Sequence, residues 1–125
     1  MKTIINTTEA PAAIGPYSQG TMSGSTVYLS GQLGIDPTTG KLAEGGAAAQ
    51  ARQSLKNILA LLKAVNATPE QVVKTTVYLT DMADFKDVNT AYAEVFSQNF
   101  PARSCVAVHQ LPLGGLVEIE VTIAL

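Results

Sequence analysis

The sequence predicts an α+β fold in which two helices pack on one face of a β-sheet. Two stretches repeat apolar residues at helical spacing, and both ends of the chain alternate apolar and polar residues as strands do. The chain has 125 residues, 46% of them hydrophobic and 14% charged. Because this length suits one domain with a substantial core, we expect residues 1–125 to form a single domain.

The N-terminal part of the chain has the pattern of short strands joined by turns. Residues 3–6 form a short β-like segment, and residues 21–23 and 26–30 form a hairpin around Gly24 and Ser25. A loop rich in glycine and proline, residues 14–20, lies between them. Residues 36–40 (DPTTG) have the composition of a turn.

The first helix is predicted over residues 47–65. Its apolar stripe comprises Leu55, Ile58, Leu59, Leu62 and Val65. Arg52 lies on the opposite, solvated face together with two lysines, so we expect an ordinary surface residue there. Residues 66–69 (NATP) end the helix.

A strand, a second helix and two further strands complete the fold. Residues 72–80 form a strand with Val73, Val77 and Leu79 on its apolar face. The second helix spans residues 84–98, and its apolar stripe comprises Phe85, Val88, Tyr92, Val95 and Phe96. Aspartates at positions 81, 84 and 87 suit the N-terminal end of a helix dipole. Residues 103–108 and 117–125 are the closing strands.

Strand alternation assigns the side chains of the closing strands to faces. In the last strand the odd-numbered residues 117–125 are all apolar, so we expect them under the helices, with Glu118 and Glu120 on the other face. In the preceding strand Val106 is expected to point to the core. Arg103 and Cys105 would then share the helix-free face of the sheet with Glu118.

A helix-free sheet face with few charges needs a cover. Another copy of the chain is the expected cover because no residues remain for a third layer, so a site on this face would lie near a subunit interface. Arg103 is always charged and needs an anionic partner when half buried. With Glu118 nearby, it could hold a small acid and activate water beside it.

Composition excludes several classes of function. A net charge of −2 argues against nucleic acid as the main partner. One cysteine and one histidine make no zinc cluster. A Cys105–His109 dyad is disfavoured because four strand residues, at about 3.3 Å each, separate the two side chains. With neither a signal peptide nor a membrane-length apolar run in the sequence, a cytoplasmic protein is expected.

Four segments resemble the RidA (YjgF) family, and the resemblance covers essentially the whole chain. They are residues 13–20 (AIGPYSQG), 29–32 (LSGQ), 101–105 (PARSC) and 117–120 (VEIE). The resemblance implies a mixed sheet in a fold like that of trimeric chorismate mutase, and a homotrimer with clefts between subunits. The implied activity is 2-iminobutanoate/2-iminopropanoate deaminase. It hydrolyses enamines and imines such as 2-aminoacrylate, released by pyridoxal-phosphate enzymes, to 2-oxo acids and ammonia without a cofactor.

The resemblance also implies residue roles. Arg103 matches the arginine that binds the substrate carboxylate, although an ion pair with a structural carboxylate is the ordinary alternative. Glu118 matches the glutamate that positions water or moves protons, whereas a solvated strand carboxylate is the alternative. Tyr17 matches a tyrosine in a loop that closes over the ligand, and it could also fill the interface.

Four matched positions contribute to the implied pocket. Ser30 and Gly31 match its floor, where glycine lets a ligand approach the backbone. Asn89 matches a pocket position on the second helix, although a solvated asparagine is the common alternative. Cys105 would contribute its backbone N–H to the carboxylate. Segment 113–116 (LGGL) departs from the family pattern because it lacks charged residues, which would reshape the rim of the cleft.

Two other functions remain open at this point. A trimeric module that binds 2-oxo acids or related carboxylates without turnover would need Arg103 but not Glu118. An RNA-cleaving activity has been associated with parts of the family. The acidic balance of the chain and the lack of a basic patch with aromatic residues weaken the RNA reading.

Overall fold

The computed structural model describes residues 1–125 and contains seven strands and two α-helices. The helices are α1 (Gly46–Ala64) and α2 (Phe85–Ala93). Short 3₁₀ turns lie at Pro69–Gln71, Met82–Asp84 and Pro112–Gly114. The strands are β1 (Lys2–Ile5), β2 (Gly20–Ser23), β3 (Thr26–Leu29), β4 (Gln32–Leu33), β5 (Val72–Leu79), β6 (Ala102–Ala107) and β7 (Val117–Ala124).

All strands join in one mixed sheet. Their order is β1-β2-β3-β7-β5-β6, and β4 pairs with β7 beyond the end of β3. The pair β5–β6 is parallel, whereas every other pair is antiparallel. A parallel pair needs a crossover connection, and α2 supplies it between β5 and β6. The α+β class with a mixed sheet is therefore confirmed.

Both helices pack on one face of the sheet, as predicted. One cluster of 21 buried apolar residues joins the helices to β3, β5 and β7. Over β4, the Ser54 hydroxyl of α1 donates to the Gln32 carbonyl at 2.6 Å. Over β5, the hydroxyls of Tyr92 and Thr75 are 2.9 Å apart. Neither helix is long and apolar enough to cross a membrane.

Outside β6, three apolar residues that were expected in the core are exposed. Leu59 is 38% exposed, whereas Leu61 is buried. The buried face of α1 includes Ser54 and Asn57, which hydrogen-bond to carbonyls of residues 32–35, and Leu61 lies on the same face as these two residues. Val73 is 49% exposed because a bulge at the start of β5 turns Val72 inward in its place. Leu125 lies beyond the end of β7 and is 46% exposed.

The predicted facing of β6 is wrong. Parallel pairing sets Arg103 opposite Thr75 and Cys105 opposite Val77, and both β5 residues are fully buried under the helices. Paired residues on neighbouring strands point to the same face of a sheet. Arg103 and Cys105 therefore lie on the helix side, whereas Val106 is 45% exposed on the helix-free side.

Candidate functional site

The seven site residues predicted from the sequence fall into two groups on opposite faces of the sheet. The glutamate group lies on the helix-free face and comprises Glu118, Tyr17, Ser30 and Gly31. The arginine group lies under α2 and comprises Arg103, Asn89 and Cys105. The structure brings the members of each group together, and it separates the two groups within one chain.

Strand β7 holds Glu118 between two neighbours on the helix-free face. Its cross-strand partners are Leu33 of β4 and Tyr78 of β5. Gly31 leaves room for the carboxylate, because a Cβ at that position would collide with the side chain of Glu118. Burial raises the pKa of Glu118, and the charge of Glu120 raises it further. A carboxyl with a raised pKa is suited to accept and return a proton.

Glu120 is engaged in a different way from Glu118. Tyr78 donates its hydroxyl hydrogen to Glu120 Oε1 at 3.0 Å, and this bond raises the pKa of Tyr78. No side chain hydrogen-bonds Glu118. Glu118 is therefore the carboxylate of this pair that is free to meet a ligand.

The loop that carries Tyr17 is anchored at its base. The Ser30 hydroxyl donates to the Ser18 carbonyl at 2.6 Å, and the Ser30 amide donates to the Gln19 carbonyl at 2.9 Å. Gln19 is buried, and its side chain donates to the Pro11 carbonyl at 2.8 Å. Tyr17 itself is 52% exposed. The fixed base and exposed ring leave Tyr17 at the mouth of a cleft.

The glutamate group lines a cleft of about 690 Å³. This volume is within the range of small-molecule sites, roughly 300–1,000 Å³. The polar end of the cleft holds Glu118, Ser30 and Gly31. The remainder is mainly apolar, and its lining includes Ile14, Leu33, Ile35, Pro37, Pro112 and Leu113.

Arg103 is a half-buried cation without an acidic partner. Its Nη1 donates to Asn89 Oδ1 at 2.8 Å. Its guanidinium carbon lies 4.8 Å from the ring centroid of Tyr92 and 5.6 Å from that of Phe85, as in cation–π contacts. The ion pairs of the chain involve Arg52 and Lys63 instead. The arrangement leaves the guanidinium fork able to bind an anion in two hydrogen bonds.

Helix α2 supplies the surface on which Arg103 rests. Phe85, Asn89 and Tyr92 follow one another at four- and three-residue intervals, so they lie on one helix face. The sequence predicted Phe85 and Tyr92 as core residues and missed their contact with Arg103. The signal available was a polar residue, Asn89, at helical spacing from two aromatic residues.

Cys105 has the environment of a packed thiol. It packs against the apolar core, and burial raises its pKa even though Arg103 acts in the opposite direction. A nucleophilic cysteine needs a lowered pKa. His109 lies beyond the end of β6 and is exposed. Both observations argue against a Cys105–His109 mechanism.

One chain does not bring Arg103 and Glu118 to the same ligand. Arg103 pairs with Thr75 and Glu118 pairs with Tyr78, so β5 lies between the two residues. From strand spacing and rise, their Cα atoms are roughly 14 Å apart. Their side chains also point to opposite faces of the sheet.

Comparison with known proteins places this fold in a class of small α+β enzymes that process small molecules. The family model described as Endoribonuclease L-PSP matches residues 7–125. A bovine protein named 2-iminobutanoate/2-iminopropanoate deaminase is 51% identical over 120 residues, covering 96% of this chain and 88% of the bovine chain. The chain belongs to the RidA (YjgF) family.

Solved structures agree with this assignment. A protein of the conserved Rid family from Yersinia pestis is 46% identical to this chain, with a TM-score of 0.96. The superposition covers 100% of both chains. TdcF from E. coli, solved with bound serine, is 40% identical with a TM-score of 0.93 and 98% coverage of each chain.

Proposed function

We propose that this protein is a 2-iminobutanoate/2-iminopropanoate deaminase that hydrolyses 2-imino acids and their enamine tautomers, such as 2-aminoacrylate. The bovine relative, 51% identical, is named for this activity. The observation that carries the proposal is Arg103, a half-buried guanidinium with no acidic partner in its own chain. Such a cation suits the carboxylate that every 2-imino acid carries.

The reaction consumes one water and releases one ammonia. Arg103 holds the substrate carboxylate, and Glu118 accepts a proton from water as the water oxygen forms a bond to the imine carbon. Glu118 returns this proton to the nitrogen, which gives a carbinolamine. It then moves the hydroxyl proton to the nitrogen, so that ammonia leaves as the carbon–nitrogen bond breaks and the carbon–oxygen double bond of the 2-oxo acid forms. The raised pKa of Glu118 supports this role because the group binds a proton more readily than an exposed carboxylate. Water is the only co-reactant, so the reaction needs no cofactor.

The active site lies between subunits. Arg103 and Glu118 face opposite sides of one chain, so a cleft that contains both combines Arg103 of one subunit with Glu118 of its neighbour. A homotrimer of chorismate-mutase-like subunits provides three such clefts. The exposed Tyr28 and Val106 on the helix-free face support burial of that face in the assembly.

The remaining predicted residues shape the cleft. Tyr17 closes over the substrate from its anchored loop, and Ser30 and Gly31 form the floor beside Glu118. Asn89 orients Arg103 through the bond at 2.8 Å. Cys105 contributes its backbone N–H to the carboxylate. We place the protein in the cytoplasm, where pyridoxal-phosphate enzymes release its substrates.

A second candidate is a trimeric module that binds small carboxylates without turnover. TdcF was solved with bound serine, which is an amino acid and not an imine, and this supports a binding module as the second candidate. The binding module needs Arg103 alone, whereas the deaminase also needs Glu118. RNA cleavage, which the family description names, is disfavoured by the net charge of −2.

A coupled assay separates these functions. A threonine dehydratase generates 2-iminobutanoate in the presence of semicarbazide. The imine that escapes hydrolysis is trapped as its semicarbazone, and the rate of semicarbazone formation is measured. The deaminase predicts that the wild type lowers semicarbazone formation, and that Arg103→Ala and Glu118→Gln both abolish the effect. If the wild type has no effect but binds 2-oxobutanoate, and Arg103→Ala removes that binding, the binding module is correct. Cleavage of RNA by the wild type would support the third function.

A further inference from the structure

The chain has a β-bulge between β3 and β4. The pair Tyr28–Thr122 of β3 and β7 is followed by the pair Gln32–Ile119 of β4 and β7. One strand advances by four residues (28 to 32) while β7 advances by three (122 to 119), and the extra residue interrupts their hydrogen bonding. Gly31 lies in this bulge. Beyond it, β4 has only two residues and pairs with no strand except β7, so the sheet alone holds it weakly.

Two polar side chains of α1 hold β4 from the helix side. Ser54 donates its hydroxyl hydrogen to the Gln32 carbonyl at 2.6 Å. Asn57 Nδ2 donates to the Leu33 carbonyl at 3.3 Å and to the Ile35 carbonyl at 2.9 Å. Ser54 and Asn57 are 0% and 1% exposed. Burial of a polar group is costly unless it is hydrogen-bonded, so these two residues occupy the helix face for the bonds that they make.

Two glutamines of α1 complete this contact. Gln53 Nε2 donates to Asn57 Oδ1 at 2.9 Å, which turns the NH2 group of Asn57 toward β4. Gln50 Oε1 accepts a hydrogen bond from the Leu116 amide at 2.9 Å, directly before β7 begins. A Cβ at Gly34 would collide with the backbone of Gln50, so the chain after β4 lies directly against the helix. Helix α1 therefore holds both the β4 segment and the start of β7.

The two segments held by α1 surround the carboxyl of Glu118. Leu33 is its cross-strand partner, and Gly31 lies against its side chain. Leu116 precedes it by two residues on the way into β7. Burial is the main cause of the raised pKa of Glu118, so the position of β4 decides how much water reaches this carboxyl.

The titratable groups that face Glu118 lie on elements other than β4. Glu120 lies two residues further along β7, Tyr78 is the cross-strand partner on β5, and Tyr17 lines the same cleft. In the proposed assembly, Arg103 of the neighbouring subunit joins them. The bulge and β4 contain no titratable side chain. Their effect on Glu118 is therefore to exclude water and fix its position.

We propose that Asn57 and Ser54 are positioning residues of the deaminase, which hold β4 against the bulge and so fix the Glu118 carboxyl where proton transfer requires it. The inference rests on the proposed deaminase function and adds two side chains that lie outside the cleft. Asn57 has the larger effect because it bonds two carbonyls, whereas Ser54 bonds one. A misplacement of about 1 Å in a reacting group can lower the rate about a hundredfold.

The titration of Glu118 tests this role without relying on activity. Carbon-13 NMR of protein labelled at its glutamate carboxyls follows the titration, and Glu118→Gln assigns the signal. We expect the pKa of Glu118 to fall toward its ordinary value of 4.5 in Asn57→Ala and in Ser54→Ala, because water enters where β4 loosens. In the coupled assay, kcat of Asn57→Ala should fall about ten- to a hundredfold. KM should change little, since Arg103 binds the substrate carboxylate.

Leu62→Ala is the matched control for these variants. Leu62 is a buried residue of α1, 1% exposed, and its side chain can bond no carbonyl of β4. The cavity left by this substitution destabilises the fold. We expect Tm to fall, with the pKa of Glu118 and kcat unchanged.

The outcomes separate this inference from the proposed function. An unchanged pKa of Glu118 in both variants, or an equal fall in Leu62→Ala, overturns the inference and leaves the deaminase intact. Should Asn57→Ala fail to fold, Ser54→Ala decides, because it removes a single oxygen atom. A lowered pKa with unchanged kcat also overturns the positioning role. Absence of hydrolysis by the wild type overturns the deaminase and any role in catalysis, whereas the titration still shows whether α1 sets the surroundings of Glu118.

Discussion

The two arginines of the chain differ in their surroundings. Arg52 is exposed and pairs with Glu94 at 3.0 Å, whereas Arg103 rests on two aromatic rings and has no acidic partner. We expect Arg103→Lys to raise KM for 2-iminobutanoate about tenfold, because lysine keeps the charge and loses the two-pronged geometry. Arg103→Ala should raise it further. The coupled assay measures both variants.

Arg52→Lys is the matched control for this prediction. It makes the same change on the solvated face of α1 and should leave KM unchanged, since an exposed ion pair contributes little. An unchanged KM in Arg103→Lys would show that the position needs only a positive charge. An unchanged KM in Arg103→Ala would remove Arg103 from the site.

The surroundings of Glu118 disfavour the charged form of its carboxyl group. Burial and the charge of Glu120 raise its pKa above the ordinary value of 4.5. Between that value and the raised one, the folded chain binds the proton more tightly than the unfolded chain, so this group makes stability fall as pH rises. We expect Glu118→Gln, which stays neutral, to have a higher Tm than the wild type at pH 7 and an equal Tm below pH 4.5.

Thermal unfolding at several pH values measures this difference. Glu44→Gln makes the same change at an exposed position and should leave the Tm difference near zero at each pH. A Glu118→Gln variant that is less stable than the wild type at pH 7 would contradict the raised pKa. The gain in stability should accompany the loss of hydrolysis, as is common at sites that hold a charge for function.

Helix α2 acts on the site through one of its faces. Asn89 is uncharged and accepts a hydrogen bond from Arg103, and this bond orients the guanidinium. We expect Asn89→Ala to raise KM about three- to tenfold with little change in kcat, because one hydrogen bond to a charged group is lost. Asn89→Asp should raise KM much more, because its carboxylate would occupy the fork that the substrate needs.

Thr90→Asp provides the control for the Asn89 variants. It adds the same charge on the exposed face of α2, away from Arg103, and should leave KM unchanged. If Asn89→Asp bound substrate as well as the wild type did, Arg103 would not be the carboxylate site. The full kcat and KM values are needed, because a structural effect would lower kcat as well.

Most elements could be predicted from periodicity, whereas the facing of β6 could not. The alternation in β7 is complete from Val117 to Ile123, so one face is unambiguous. In β6 small, polar and apolar residues occur on both faces, and only the pairing of Arg103 with Thr75 decides between them. That register depends on how α2 returns the chain to the sheet, which is a tertiary property.

At the scale of the whole molecule, we propose that copies of the chain meet at the helix-free face and form the trimer. Tyr28 and Val106 lie on this face and are 53% and 45% exposed. We expect Tyr28→Asp and Val106→Asp to convert the trimer, about three times the 13.1 kDa of one chain, into monomers, because a buried unpaired charge at an interface is costly. Analytical ultracentrifugation measures the mass, and the coupled assay should show that activity is lost with the trimer.

Leu59→Asp is the control for the interface variants. Leu59 is an exposed apolar residue of α1, on the opposite side of the molecule from the helix-free face. It should leave the trimer intact. Trimers in all three variants would place the interface elsewhere.

The residues of the candidate site were proposed from the sequence, but their division between two faces could not be predicted from it. Four short segments identify Tyr17, Ser30, Gly31, Arg103 and Glu118. Their separation depends on the register of β6 and β7 on either side of β5. The contacts of Arg103 with Phe85 and Tyr92 could not be predicted from the sequence either. Aromatic residues at helical spacing give the same pattern whether they pack in a core or against a cation.

The central claim is that each active site combines Arg103 of one subunit with Glu118 of its neighbour. The most direct test mixes two inactive variants, Arg103→Ala and Glu118→Ala, by refolding equal amounts together and measuring hydrolysis of 2-iminobutanoate. Random assembly gives about a quarter of the clefts both native residues, so about a quarter of wild-type activity should return. Each variant refolded alone should stay inactive. No recovery from mixed trimers, confirmed by native mass spectrometry, would contradict the claim.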